Sequence, residues 1–423
     1  MSNFRNQIQF LLQEAASLLL YQSVFSGEVG QSFLQLLETL NHQETRCLAA
    51  YGSWFRSLAA TGQSWQDYLI TRVLCDDNPL SSRLQKVSVE ELPPALVAAA
   101  KQDLQALQHL YNCSGEELSG WVKATAKVNL QPVVWHLERA STTFLHQQSD
   151  WAESLEELAR HYGKYGTGIF AEFKAFTWQQ GYLQGIAHPD PVRLSQIVGY
   201  ESQKATLVKN TEFLLAGYPA LHVLLYGSRG SGKSSLVKGL LNEYGTRGLR
   251  LVEVGKAQLQ DLPTIVEQLR DLPQKFVLFV DDLSFEEDDD AFKALKVVLE
   301  GSLTAKAQNV VVYATSNRRH LVREFFSERP RPSDRDEVQA WDTLQEKLSF
   351  SDRFGLTITF ESANQSTYLE IVHHLAEQAK ISLSATELEF RAKQWATRHN
   401  GRSGRSARQF IDFLQGELAL GNN

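Results

Sequence analysis

The sequence predicts an α/β fold: a parallel sheet carrying a phosphate-binding loop, set between an all-helical N-terminal half and a short helical C-terminal segment. Three observations point there. Residues 223–226, Val-Leu-Leu-Tyr, form an apolar run that breaks into Gly-Ser-Arg-Gly-Ser-Gly-Lys-Ser and then into a helical pattern. From about residue 199, apolar runs alternate with helical patterns, as in a parallel sheet covered on both faces. Before residue 185 and after residue 361, apolar residues recur at helical spacing instead.

The elements follow in order. Phe4, Ile8, Leu11, Leu12, Ala15, Leu18 and Leu19 lie on one helical stripe, as do Phe33, Leu36, Leu37 and Leu40. Pro94 opens a longer helix through Leu96, Ala100, Leu104, Leu107 and Tyr111. Six of the eight tryptophans (Trp54, Trp65, Trp121, Trp135, Trp151 and Trp178) fall before residue 185 and are expected to fill a helical core. Residues 1–185 are therefore expected to form an all-helical domain and residues 186–198, with Pro189 and Pro191, a linker. Residues 199–361 carry five expected strands, His222–Tyr226, Leu249–Val254, Phe276–Val280, Val310–Ala314 and Leu356–Phe360, and 362–423 about three helices.

At 423 residues the chain can hold two or three domains, and 43% hydrophobic with 22% charged residues is ordinary for a globular protein. The net charge of −7 argues against wrapping nucleic acid, although it leaves room for a local basic patch. Cys47, Cys75 and Cys113 are scattered without metal-ligand spacing, which suggests reduced thiols and a cytoplasmic protein. The run Phe10–Phe25 is interrupted by Gln13 and Glu14, so it predicts neither a signal peptide nor a membrane span.

The chemistry begins at the loop. Gly227, Gly232, Lys233 and Ser234 match G-x-x-x-x-G-K-[ST], with an additional Gly230. Glycines let main-chain N–H groups close on phosphate oxygens, and the following helix adds positive potential at its N-terminus. Residues 227–235, including Ser228, Arg229, Ser231 and Ser235, are thus expected to cradle a nucleotide, with Lys233 on the β- and γ-phosphates. The Ser234 hydroxyl is expected to hold Mg²⁺. The strand 276–280 ends in Asp281 and Asp282, which assigns Asp281 to the Mg²⁺ shell and Asp282 to polarising the attacking water. The acidic run 286–290 reads first as the N-terminus of a helix through Leu295 and Leu299, and Glu286 stays open as an alternative water-activating carboxylate. Asn317, after the strand 310–314, can hydrogen-bond the lytic water and a γ-phosphate oxygen. Arg318, Arg319, His320 and Arg323 follow, with phosphate, a neighbouring subunit and solvent as equal alternatives. Arg353 in Ser-Asp-Arg-Phe-Gly and Arg405 in Gly-Arg-Ser-Gly-Arg-Ser-Ala-Arg are candidates for stabilising transition-state charge, against the commoner fate of a surface ion pair.

Over about residues 195–420 this ordered set resembles the AAA+ ATPases. Gly227–Ser234 is similar to Walker A, Val277–Asp282 to Walker B, Asn317 to sensor 1, Arg353 to the arginine finger and Arg405 to the sensor 2 arginine of the helical lid. The wording of Val198–Lys204, Asp281–Glu286, Ala314–Leu321 and Ser351–Gly355 resembles more closely a bacterial AAA+ family catalogued only as a domain of unknown function. The resemblance implies a P-loop core, a helical lid, ATP and Mg²⁺ as ligands, phosphoanhydride hydrolysis, and self-association in which one subunit's finger completes its neighbour's site. One departure stands out: the second Walker B acid is Asp282 where glutamate is usual, one methylene shorter. Two functions follow as expectations. One is an ATP-hydrolysing motor that remodels a protein client chosen by the N-terminal domain. The other is a nucleotide-gated switch or scaffold with slow turnover. A nucleic-acid loader is the weaker third, given the acidic chain.

Overall fold

The computed structural model describes residues 2–42, 45–137, 142–283, 290–300, 307–317, 350–399 and 401–421. Glu286, the basic residues Arg318, Arg319, His320 and Arg323, and the insert 324–349 lie outside the described residues. The chain divides into two compact units, residues 1–172 and 173–423.

The first unit is helical and built around one apolar core. The helical stripes of the sequence account for it: Ile8, Phe33, Leu36, Leu40, Leu104 and Leu107 are all fully buried. Trp54, Trp65, Trp121 and Trp151 are buried and Trp135 packs against the same core, as expected for aromatic side chains that bring large apolar area inside. Phe33 stacks on Trp65 with ring centroids 4.1 Å apart. The carboxylate of Asp103, itself fully buried, accepts hydrogen bonds from the main-chain N–H groups of Leu19, Leu20 and Tyr21, so the turn after the first helix meets no unpaired donor.

The second unit holds a seven-stranded sheet rather than five strands. Its members are β1 (Ala175–Gln179), β2 (Tyr182–Gly185), β3 (Val223–Gly227), β4 (Leu249–Glu253), β5 (Lys275–Val280), β6 (Val310–Ser316) and β7 (Leu356–Phe360), in the spatial order β2-β1-β4-β5-β6-β3-β7. All neighbours are parallel except the edge pair β1–β2. The five expected strands are β3 to β7, each within a residue or two of its expected span. The α/β fold class expected from the sequence, a parallel sheet followed by a helical C-terminal segment, is thus the observed one, with a larger sheet.

The helical reading of residues 173–185 is corrected here. Gln179 pairs with Tyr182 across the two-residue turn Gln180-Gly181, where φ is +51° and +87°, the geometry of a hairpin turn. β1 then adds parallel to β4, and Trp178, which the sequence placed in the helical core, is buried in this sheet with its indole N–H donating to Asp261 at 2.8 Å.

Both faces of the sheet are buried. Val223, Leu225, Val277, Phe279, Val311 and Tyr313 share one core with Leu236, Val237 and Leu240 of the helix Lys233–Tyr244. The alternate residues Leu224, Val252, Leu278, Val312 and Ala314 are equally buried from the other side, which explains the near-continuous apolar strands. Three helices follow β7, Gln365–Gln378, Ala385–Arg398 and Gly404–Gly421, and pack around Tyr368, Val372, Ala392, Phe410 and Ile411.

Candidate nucleotide-binding site

Strand order assembles the candidate site. β6 lies between β5 and β3, all three parallel, and the registers Val280↔Ala314 and Tyr226↔Ser316 bring their carboxyl ends level. Asp281 and Asp282 after β5, Asn317 after β6 and the glycine-rich loop after β3 therefore meet at one edge, where ligands bind in open parallel sheets.

The loop has little freedom to be anything else. Gly227 has φ +133°, and a Cβ placed there would lie 1.9 Å from the main-chain oxygen of Phe360. Ser228 N–H donates to that same oxygen at 3.0 Å, so the loop starts clamped to the end of β7. Gly232, at φ +88°, turns the chain into the helix Lys233–Tyr244. Lys233 is buried, and its ammonium donates to the carbonyl oxygens of Gly227 and Ser228 at 2.9 and 2.7 Å and to Asn317 Oδ1 at 3.3 Å. These partners are all neutral. Burial pushes the Lys233 pKa down, the charges of Asp281 and Asp282 oppose that shift, and Arg405 adds to it. A buried cation satisfied only by neutral oxygens suits an incoming polyphosphate.

The acids are arranged unequally. Asp281 Oδ1 accepts from the hydroxyls of Ser234 at 2.6 Å and Thr315 at 2.5 Å, which brings the two expected Mg²⁺ partners into contact. Among the described residues no group of three or more His, Cys, Asp or Glu could hold a metal by itself. Mg²⁺ needs no such group where a hydroxyl, one carboxylate, phosphate oxygens and water complete its shell, so the residues present fit the ion. Asp282 has φ +51°, a left-handed conformation uncommon for a non-glycine residue. Its N–H donates to Thr315 Oγ1 at 2.9 Å, and its carboxylate accepts from Asn317 Nδ2 at 2.6 Å. Such strain at a carboxylate next to a phosphate loop is where function is expected to hold it.

A cavity of about 670 Å³ opens over these groups. Arg229, Gly230, Ser231, Gly232, Lys233, Ser234, Ser235, Asp281, Asp282, Asn317 and Arg405 all line it, so the structure brings together nearly every expected site residue. Gly227 and Ser228 stand at its base as partners of Lys233. The C-terminal segment reaches the loop directly: Arg405 N–H donates to Gly230 O at 3.2 Å, and Ser228 and Ser362 hydroxyls are 2.6 Å apart.

Arg353 is not among the cavity residues. It ends the short 3₁₀ turn Phe350–Arg353 and pairs with Glu300 at the end of the helix Asp290–Glu300. Because β3 and β7 are parallel with Val223↔Leu356 and Gly227↔Phe360 in register, Arg353 sits at the amino end of β7, the opposite edge of the sheet from the loop. Four strand residues separate those edges by roughly 13 Å at ~3.3 Å each.

Sequence reasoning missed three contributors. Thr315 orients Asp281, although its threonine at the end of a buried strand was a visible signal. The expected linker supplies wall residues Val192, Gln196, Ile197 and Val198, which local composition could not reveal. Arg408 lines the cavity one helical turn beyond Arg405.

Among the described residues no helix is long and apolar enough to cross a membrane. No curated protein matches the sequence. Solved structures that match include a proline-to-glycine mutant of RuvB from Thermotoga maritima, at 16% identity and TM-score 0.39 over 55% of this chain and 68% of that chain. Another is the Thermotoga maritima RuvB Holliday junction branch migration motor, at 16% identity and TM-score 0.33 over 53% and 72%. Likenesses this loose say nothing of function. The model of a family described as "Protein of unknown function (DUF815)" matches residues 171–418, which is more than half of the chain and nearly all of its second unit, and the chain belongs to that family.

Proposed function

We propose that the protein binds Mg·ATP in the cavity above β3, β5 and β6 and hydrolyses it. The observation that carries this reading is the buried Lys233 ammonium, held by neutral oxygens alone beside a Ser234–Asp281 contact of 2.6 Å. Lys233 and the loop N–H groups take the β- and γ-phosphates, Ser234 and Asp281 hold Mg²⁺, and Arg405 approaches from the lid. An ion held there would supply positive charge against the negative charge that develops during transfer. Asp282 takes the proton of the attacking water, and Asn317 orients that water against the phosphate.

The protein works as an oligomer on this reading, because the position of Arg353 at the far edge of the sheet favours action on a neighbour's nucleotide. The helical unit 1–172 selects a protein client, and turnover remodels it. A second reading, a nucleotide-gated switch with slow hydrolysis, is favoured by the Asp282–Asn317 hydrogen bond, which occupies the short carboxylate that must meet water. Phosphate release under saturating Mg·ATP separates the two. Motor activity requires turnover on the scale of ordinary ATPases, near one per second or above, whereas a switch turns over orders of magnitude more slowly.

A further inference from the structure

We infer that Arg408 is a second nucleotide-binding residue of the lid, contacting the α-phosphate, so that it sets affinity for ATP and ADP alike while Arg405 reads the terminal phosphate. The inference rests on the proposed ATP site. Arg405 and Arg408 are three residues apart on the helix Gly404–Gly421, hence on one face, and both line the cavity. Both are exposed, and neither has an ion pair with a carboxylate among the described residues. Among the described residues, the charged groups lining the cavity are four cations, Arg229, Lys233, Arg405 and Arg408, against the carboxylates Asp281 and Asp282. That excess suits a polyphosphate.

Position along the helix divides the labour. Its first turn is tied to the loop tip through Arg405 N–H and Gly230 O, and the Arg405 charge is felt by Lys233. Three residues further on, Arg408 is displaced by about 4.5 Å along the axis, away from the tip. The helix packs against the helix Gln365–Gln378, whose Ile371 and Leu375 line the same cavity together with Ile197 and Val198. Apolar lining of this kind suits a nucleobase. A cation between the loop tip and a base held there meets the phosphate nearest the ribose.

Equilibrium titrations of the full-length protein with fluorescent ADP and a non-hydrolysable fluorescent ATP analogue test this. Losing one charge-assisted contact should weaken Arg408→Ala about ten- to a hundredfold for both nucleotides, with the ATP/ADP preference unchanged. Arg408→Lys, which keeps the charge, should recover part of the loss. Arg405→Ala should weaken the triphosphate more than the diphosphate. Unchanged affinities in Arg408→Ala, or a loss confined to the triphosphate, overturns the assignment while leaving the ATP site intact if Lys233→Ala still abolishes binding. Absence of binding by the wild-type protein overturns the site and the assignment together.

Discussion

Asn317 bridges Asp282 and Lys233: its Nδ2 donates to Asp282 Oδ1 at 2.6 Å, and its Oδ1 accepts from Lys233 Nζ at 3.3 Å. One amide thus links the cation of the phosphate loop to the carboxylate proposed as base. A nucleotide that draws Lys233 onto its phosphates removes one end of this bridge and alters the hold on the other.

That link makes Asp282 the residue to test for turnover. Asp282→Asn should bind Mg·ATP within a few-fold of wild type and lose turnover by at least a hundredfold, because Asp281 and Ser234 still hold the metal while the base is gone. Phosphate-release assays on Asp282→Asn and Glu286→Gln decide between the two acids. Loss of turnover in Glu286→Gln alone would transfer the role of base to Glu286.

Arg353 should act in trans. Arg353→Ala is expected to bind ATP normally and hydrolyse it poorly, by a factor on the order of 10³ if it behaves as arginine fingers do. Mixed with Lys233→Ala, it should regain activity, since one interface then combines an intact nucleotide site with an intact finger. Recovery should rise with protein concentration. A mixture as inactive as its components, beside a wild-type rate per subunit that is independent of concentration, would confine Arg353 to its own subunit.

In the helical unit, burial raises the Asp76 carboxyl to about 6, against a hydrogen bond from Asn78 and the charge of Arg72, which lower it. An acid whose folded pKa is raised binds more protons when folded, so its contribution to stability falls as pH climbs from about 4 to 6 and is level above. Asp76→Asn should therefore gain stability relative to wild type across that window, by about 3 kcal/mol in all, as roughly two pKa units require. Denaturant unfolding at several pH values, followed by the fluorescence of the buried tryptophans, measures it. A difference that does not vary with pH would show that Asp76 is not titrating there.

The legible and illegible parts of this chain differ in how far apart their determinants lie. β3 to β7 could be read because strands buried on both faces leave unbroken apolar runs, and the loop because its spacing is set by phosphate geometry over eight residues. The hairpin β1–β2 was hidden: Phe176 and Trp178 alternate over only five residues, beside helical stripes that also end in aromatics. Its Gln-Gly turn was the available signal. The cavity walls from residues 192–198 and Arg408 depend on contacts between distant segments that carry no local pattern. Arg353 could be picked out as a candidate, whereas its separation from the loop needed the β3–β7 register.

The central claim is nucleotide binding at the loop after β3, and calorimetric titration of Mg·ATP into wild type and Lys233→Ala tests it most directly. Lys233 is buried and makes three hydrogen bonds, so matched unfolding curves for the two proteins accompany the comparison. The account predicts micromolar or tighter binding by wild type and at least a hundredfold loss in Lys233→Ala, the cost of removing the main charged contact to the β- and γ-phosphates. Equal affinity in the two folded proteins would contradict it.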